Sequence, residues 1–502
     1  MSIIQHLQDL NVYAPPPVAW RVYQNPHDPL VGTWQRFYAV TMFADISGFT
    51  PLAEALAVNG ARGAEELNTI LNQVFESLIT TIESHGGQVV YFDGDALSLV
   101  WPHVPQDMIP TIWRALQAAF AMQSTIAGFT IIPTSQGEFD LQMKIGVSVG
   151  EVLEVHAGGE LDRVEYVLAG KPMTNMSQAE RLAYAGEIVV DQYIWKLVNG
   201  LDYYTVKQIM NSTKNHQATL PESYIVGVEA EPGFYRVTHL WSKLPPCPLT
   251  PPDWSLLDYE TATRAASTLH KYIPATIANT FKNGHQKSQT QLRPMTICFF
   301  GFSGIDYHEE TEAGPRLNRF LCDAQKTIYR YEGSINKLNV GDKGSVLLIL
   351  FGAPPFVHPD DEARAVACAL DLRQVAVEHR LDVQVGLSTG PVFLGPLGAT
   401  RRRDYTVIGD VVNRAARLMQ KAGSGQILVD TSVHQKAKQH FVYQDLGKTR
   451  VKGRSKPLHI YLAVSEKEQR EQSVVRYLLG SQDANSDDKT SSSAQLPRPA
   501  IS

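Results

Sequence analysis

The chain alternates short apolar runs with longer stretches in which apolar residues recur every three or four positions. Phe37-Tyr-Ala-Val-Thr-Met-Phe-Ala44 is mostly apolar and short enough for a buried strand. Leu67, Ile70, Leu71, Val74, Phe75, Leu78, Ile79 and Ile82 follow at helical spacing, and Gly86-Gly87 closes that helix. Two β-rich runs separated by Asp93-Gly94 read as a hairpin, because glycine readily takes positive φ. A helical stretch over 112–126 and a strand over 141–149 complete a β-α-β-β-α-β order. That order predicts a ferredoxin-like α/β sandwich.

The pattern occurs twice. Phe43-Ala-Asp-Ile-Ser-Gly-Phe-Thr50, Gly86-Gly-Gln-Val-Val-Tyr-Phe-Asp-Gly-Asp95 and Lys144-Ile-Gly-Val-Ser-Val-Gly150 have counterparts. These are Phe299-Phe-Gly-Phe-Ser-Gly-Ile-Asp306, Glu332-Gly-Ser-Ile-Asn-Lys-Leu338 and Gln384-Val-Gly-Leu-Ser-Thr-Gly390, offset by roughly 240 to 260 residues. The second helix repeats the spacing with Leu317, Phe320, Leu321, Ala324 and Ile328. Around the repeats, 1–36, with Pro15-Pro-Pro17 and Trp20, reads as an extended arm over a domain surface. The first domain is expected over 37–242, a proline-rich and polar linker with a short helix over 243–294, and the second domain over 295–465. The polar stretch 466–502 reads as a disordered tail.

Composition narrows the function classes. A 502-residue chain with 44% hydrophobic residues fills two cores. A net charge of −6 and a pI near 6.2 speak against a general nucleic-acid binder. Cys247, Cys298, Cys322 and Cys368 are scattered without a CxxC pair, as expected of a reduced compartment. With no run of roughly 18 apolar residues and no signal-peptide core, the expected location is the cytoplasm.

The repeat is chemically unequal. Asp45 ends a buried strand before the small-residue turn Ile46-Ser47-Gly48, whose N–H groups suit a phosphate. Asp95 lies on the hairpin expected beside that strand, so the two carboxylates can converge on magnesium, which completes its shell with water and substrate phosphates. Taken alone, Asp45 could cap a turn and Asp93-Gly-Asp95 could be an ordinary hairpin. Their joint occurrence at repeat-matched positions favours a site. The second copy carries Lys337, Asn413 and Arg417 instead. The last two stand at i and i+4, where one helix face can address one ligand, although that spacing also suits a solvated face.

The motifs Phe43–Thr50, Gly333-Ser-Ile-Asn-Lys337 and Tyr405-Thr-Val-Ile-Gly-Asp-Val-Val-Asn-Arg-Ala-Ala-Arg417 resemble the class III nucleotidyl cyclases, over roughly residues 37–464. The likeness is greatest to the tandem catalytic region of the soluble, bicarbonate-responsive adenylyl cyclases. The resemblance implies an α/β (α+β) chain with two ferredoxin-like cyclase domains packed head to tail as an intramolecular pseudo-heterodimer. Two pseudo-equivalent clefts then lie at the interface, and one keeps a full catalytic set. It further implies that Asp45 and Asp95, with the Ile46 carbonyl, hold two Mg2+ ions, Mn2+ being the alternative. Asn413 would orient the ribose and Arg417 would stabilise charge at the α-phosphate. Lys144 and Lys452 would meet the triphosphate, as would Ser47, Gly48, Phe49 and Thr50. Lys337 and Thr406, with Val407, would read the base. A lysine donor suits adenine N1 and a hydroxyl can accept from the exocyclic amine, so ATP is the expected substrate and 3′,5′-cyclic AMP the product. A monomer is expected.

The other cleft departs from this pattern. Gly301 stands opposite Asp45, and Asp342 reaches the second metal position only by a one-residue shift. Thr174 and Gln178 stand opposite Asn413 and Arg417. Bicarbonate-responsive relatives place a lysine and an arginine there. Here Tyr91 and Ser177 occupy those positions, with Lys171 or Arg181 near enough in sequence to compensate, and because an anion buried without a cationic partner is costly, this departure speaks against bicarbonate activation. The remaining alternatives are a catalytically silent nucleotide-binding protein and a guanylate cyclase, the latter opposed by Lys337.

Overall fold

The structure is a computed structural model that describes residues 2–202, 223–242, 244–245, 247–274, 276–278, 290–341, 344–449 and 457–467, without the side chains of Thr50 and Ala61. The sequence expectations for Lys452, for Asp342 and for the tail beyond residue 467 lie outside the described residues.

The first repeat contains β1 (Trp34–Ser47), β2 (Gln88–Asp93), β3 (Ala96–His103), the small hairpin β4 (Ile132–Thr134) and β5 (Gly137–Phe139), and the long β6 (Gln142–Gly158). It continues through β7 (Val164–Ala169), β8 (Ile188–Asp191), β9 (Gly200–Asp202), β10 (Tyr224–Glu231) and β11 (Phe234–Trp241). The second repeat contains β12 (Gln291–Ser303), β13 (Ser334–Gly341), β14 (Gly344–Phe351) and β15 (Asp382–Gly398). It ends with β16 (Arg403–Ile408), β17 (Gln426–Asp430), β18 (Phe441–Thr449) and β19 (Leu458–Glu466). The first sheet runs β2-β3-β1-β6-β8-β11-β10-β9 with β7 on β6, and the second runs β13-β14-β12-β15-β17-β19-β18 with β16 on β15. The shared order is the architectural form of the sequence repeat.

The helices follow from the apolar spacing. The helix Ala61–Ser84 buries Leu67, Leu71, Val74, Phe75, Leu78, Ile79 and Ile82, and Ala313–Arg330 buries the equivalent stripe from Leu317 to Ile328. Each core borrows from the other repeat. Phe393 and Leu397 at the end of β15, with Ala399 just after it, enter the first core, while Leu153, Val155 and Ala157 at the end of β6 enter the second. Burial of a large aliphatic or aromatic side chain contributes about 1.5–3 kcal/mol, so this exchange stabilises head-to-tail pairing. Matched polar contacts fix its register. Gly398 N–H donates to Asn72 Oδ1 at 3.0 Å, and Gly158 N–H donates to Asn318 Oδ1 at 2.9 Å.

The expected extended arm is instead helical, over Ile3–Asn11 and Pro16–Gln24. Ser2 Oγ accepts from Gln5 N–H and caps the first helix, while Pro16 opens the second, where its fixed φ suits the first turn. Leu7, Leu10, Val18 and Val22 pack with the linker helix Tyr259–His270 and with Val90, Val100 and Val152 of the first sheet. β12 starts at Gln291, slightly before the expected boundary at 295. The four cysteines are free thiols. Among the described residues, no helix is long and apolar enough to cross a membrane.

Candidate active site

β1 places Asp45 directly opposite Ala96 of β3 and Lys144 of β6. Gly94, at φ 75°, turns the β2–β3 hairpin, and Ile46 N–H donates to Asp95 O at 3.3 Å, which ties the hairpin tip to the end of β1. Asp45 and Asp95 are thereby brought together. Burial and then the neighbouring Asp45 charge push the Asp95 carboxyl up to about 8. The next turn depends on Gly48, at φ 95°, because a Cβ there would lie 2.2 Å from Asp140 O. That glycine precedes the helix Phe49–Ala57.

Lys144 is already engaged. Its ammonium lies 3.2 Å from Asp45 Oδ2 and also donates to buried Glu180 on the helix Lys171–Leu182. Burial opposes the charge on Lys144, but the Glu180 hydrogen bond and the Asp45 charge outweigh it and raise its pKa. The two like-charged carboxylates suit divalent cations, which would favour their ionised forms. Among the described residues, no group of three or more His, Cys, Asp or Glu side chains gathers to hold a metal by itself.

The second repeat supplies the opposite side. A bulge between Ile335 and Lys337 matches one between Val89 and Tyr91, so both strands re-aim the same position. Lys337 reaches across the interface to donate to Phe92 O, and stands 3.9 Å from Asp93 Oδ1 and 3.6 Å from Asp404 Oδ2. Asn339 donates to Asp93 Oδ1. Thr406 on β16 is buried and donates to Asn336 Oδ1 at 3.1 Å. On the helix Asp410–Lys421, Arg414 is committed to Asp410 at 2.9 Å, Ser388 at 2.9 Å and Asp430 at 3.3 Å. The side chains of exposed Asn413 and half-buried Arg417 make no hydrogen bond or ion pair with a described residue.

These elements enclose a cleft of about 1010 Å³ whose wall includes Phe49, Asp95, Lys337, Thr406, Val407 and Asn413. Asp45, Ile46, Ser47, Gly48, Lys144 and Arg417 do not form its wall. The cleft also extends past Met173, Met176 and Ser177 toward the degenerate side. There the Tyr91 hydroxyl donates to Tyr166 O at 2.9 Å and accepts from Leu168 N–H at 2.8 Å, so it is spent on β7. Ser177 Oγ donates to Met173 O at 3.1 Å. A Cβ on Gly301 would lie 3.0 Å from Met419 Sδ, which leaves little space for a carboxylate.

Sequence reasoning missed Glu180, Asp404 and Arg402. Arg402, 5% exposed, donates to five backbone carbonyls: Val89 and Val90 of β2, Val12 and Tyr13 of the arm, and Arg403. Its guanidinium lies 5.3 Å from the Phe92 ring centroid, and burial lowers its pKa to about 10. Arg402 therefore ties the strand bearing Thr406 to the hairpin bearing Asp95.

The family described as adenylate and guanylate cyclase catalytic domain matches residues 33–220 and 340–464. Adenylate cyclase type 10 of Homo sapiens is 26% identical over 489 residues, covering 93% of this chain and 28% of that protein. The same enzyme of Oryctolagus cuniculus is 26% identical over 436 residues, covering 84% of this chain and 25% of that protein. The chain thus spans about a quarter of the length of these relatives. A solved structure of a class III adenylyl cyclase-like ATP-binding protein from Pseudomonas aeruginosa is 14% identical, with a TM-score of 0.52, covering 84% of this chain and 92% of that one. That likeness concerns the fold.

Proposed function

The chain belongs to the adenylate and guanylate cyclase catalytic-domain family, and from that membership we propose that it converts ATP to 3′,5′-cyclic AMP and pyrophosphate. One observation carries this reading: Asp95 of the first repeat shares a cleft with Lys337, Thr406 and Asn413 of the second. Asp45, Asp95 and the Ile46 carbonyl would hold two Mg2+ ions, or Mn2+. Bound there, the ions supply Lewis acidity toward the ribose 3′-hydroxyl and offset phosphate charge.

The protein's own groups position the reaction. The Ser47–Thr50 turn offers backbone N–H groups to the triphosphate, and Lys144 exchanges Asp45 for the terminal phosphates. Lys452 would clamp the same phosphates. Lys337 and Thr406, with Val407 beside them, select adenine. Asn413 orients the ribose so that its 3′-oxygen forms a bond to the α-phosphorus. The bond from that phosphorus to the bridging oxygen breaks, pyrophosphate leaves with the electron pair, and the 3′-hydroxyl proton passes to solvent water. Arg417 stabilises charge at the α-phosphate, an effect typically worth about 10²–10³ in rate. Because both halves lie in one chain, the working unit is a monomer, which we assign to the cytoplasm.

A second reading is nucleotide binding without turnover, on which the Lys144–Asp45 ion pair bears because it offsets the charge of one prospective metal ligand. Incubation of the purified protein with ATP or GTP and Mg2+ or Mn2+, followed by product chromatography, separates the readings. Cyclic AMP is the expected product. Cyclic GMP alone would indicate a guanylate cyclase, and no cyclic product would support the silent binder.

A further inference from the structure

We propose that Asn336 is a specificity-determining positioning residue: it fixes the Thr406 hydroxyl as a hydrogen-bond acceptor toward the bound base. The inference rests on the nucleotide-cyclase reading of the cleft and adds a residue to it. Asn336 Nδ2 donates to Tyr405 O at 2.9 Å, and Thr406 Oγ1 lies 3.1 Å from Asn336 Oδ1. The order of this chain follows from what each atom can do. A backbone carbonyl only accepts, so the amide nitrogen of Asn336 must face Tyr405, and this settles the amide orientation. Oδ1 is then left toward Thr406. That oxygen also only accepts, so the single hydroxyl proton of Thr406 is directed at Asn336 and its lone pairs remain for another donor.

Thr406 lines the cleft, whereas Asn336 does not. Adenine offers an exocyclic amine, which can donate to the oriented hydroxyl. Guanine offers the O6 acceptor at the corresponding edge, which would need a proton the hydroxyl has already committed. A polar group held in one role rejects a base of the opposite pattern because binding that base would leave buried groups unpaired. A threonine free to rotate could serve either base. The selectivity thus resides in the Asn336–Thr406 pair, with Lys337 acting separately.

The test compares ATP with GTP in wild-type protein, Asn336→Ala, Thr406→Val and the double variant. It uses kcat/KM for cyclisation and, independently of turnover, the affinities of non-cyclisable ATP and GTP analogues. In Asn336→Ala the ATP-to-GTP ratio is expected to fall by about 5- to 10-fold, the scale of one hydrogen bond. In the Thr406→Val background, Asn336→Ala should change the ratio by less than about 2-fold, because its route of action is gone. Asn336→Asp, which keeps an oxygen acceptor beside Thr406, should retain most of the wild-type ratio and provides the test if the alanine variant does not fold. An unchanged ratio in Asn336→Ala, an equal fall in both Thr406 backgrounds, or equal binding of the two analogues by wild type would overturn the proposal. Absence of cyclic product with selective analogue binding would instead overturn the catalytic reading and leave Asn336 assigned.

Discussion

Lys144 Nζ stands 3.2 Å from Asp45 Oδ2, so a side chain expected at the triphosphate occupies the charge field of a prospective metal ligand. The same ammonium is shared with Glu180. Arrival of a divalent cation therefore competes with Lys144 for Asp45, and arrival of phosphate gives the lysine a new partner.

Lys144→Ala should accordingly tighten Mn2+ binding in the absence of nucleotide by about 3- to 10-fold, the scale expected for removing one nearby cation at a partly exposed site. The same change should raise the KM for ATP. Titration by electron paramagnetic resonance reads the first effect and steady-state kinetics the second. Weaker Mn2+ binding would contradict the competition.

Burial and the neighbouring Asp45 charge push the Asp95 carboxyl up to about 8, which favours its protonated form at neutral pH. A metal ligand must be ionised, so metal binding releases that proton. The concentration of Mg2+ needed for half-maximal activity should fall as pH rises from 6.5 to 8, then level. A requirement independent of pH over that interval would contradict the assignment.

Arg402→Met should lower unfolding stability by at least about 3 kcal/mol, because several buried carbonyls lose their donor at once. Its repeat counterpart Arg163 donates to His270 O at 3.4 Å and interacts with the Glu165 charge, and Arg163→Met should cost less, about 1–2 kcal/mol. Urea midpoints of the two variants provide the comparison. Equal losses would show that the interface does not depend on Arg402.

His156 is fully buried, donates or accepts through Nδ1 with Tyr272 OH at 2.7 Å, and faces Arg21 at 3.4 Å. Burial, with the Arg21 charge, lowers its pKa to about 3. Since its folded pKa is below the unfolded value of about 6.5, the unfolded chain binds more protons between these values. The stability from neutral His156 is present above about pH 6.5 and is lost as pH falls toward 3. Between pH 7 and pH 5 the loss should be about 2 kcal/mol relative to His156→Phe. Parallel stability profiles for the two proteins over this range would refute it. Glu154 and Tyr272 face the same ring, and Glu154, raised chiefly by burial, titrates in the opposing sense, which is why the difference between the two proteins is the quantity to read.

The duplicated strand order, the Asp93-Gly94 turn and the convergence of Asp45 with Asp95 were legible because each depends on local periodicity or on a strand end. The arm was misread because Pro15-Pro-Pro17 suits both extended chain and the first turn of a helix, and only packing against the linker decides between them. Arg402 was hidden within Arg401-Arg-Arg403, which reads as a solvated basic run. In the fold, Arg401 pairs with Glu83 with a side chain 58% exposed, whereas Arg402 is buried. Glu180 was hidden for another reason: its partner Lys144 lies 36 residues earlier, and only the packing of the Lys171–Leu182 helix on β6 joins them.

The central claim is that one composite site uses both repeats. Its most direct measurement is cyclic AMP formation from Mg2+–ATP by wild-type, Asp95→Asn and Arg417→Ala full chains in one assay, with circular dichroism establishing that each is folded. Turnover by wild type and a loss of at least about 100-fold in each variant is the expected result. Normal turnover in either folded variant, or none in wild type, would contradict it.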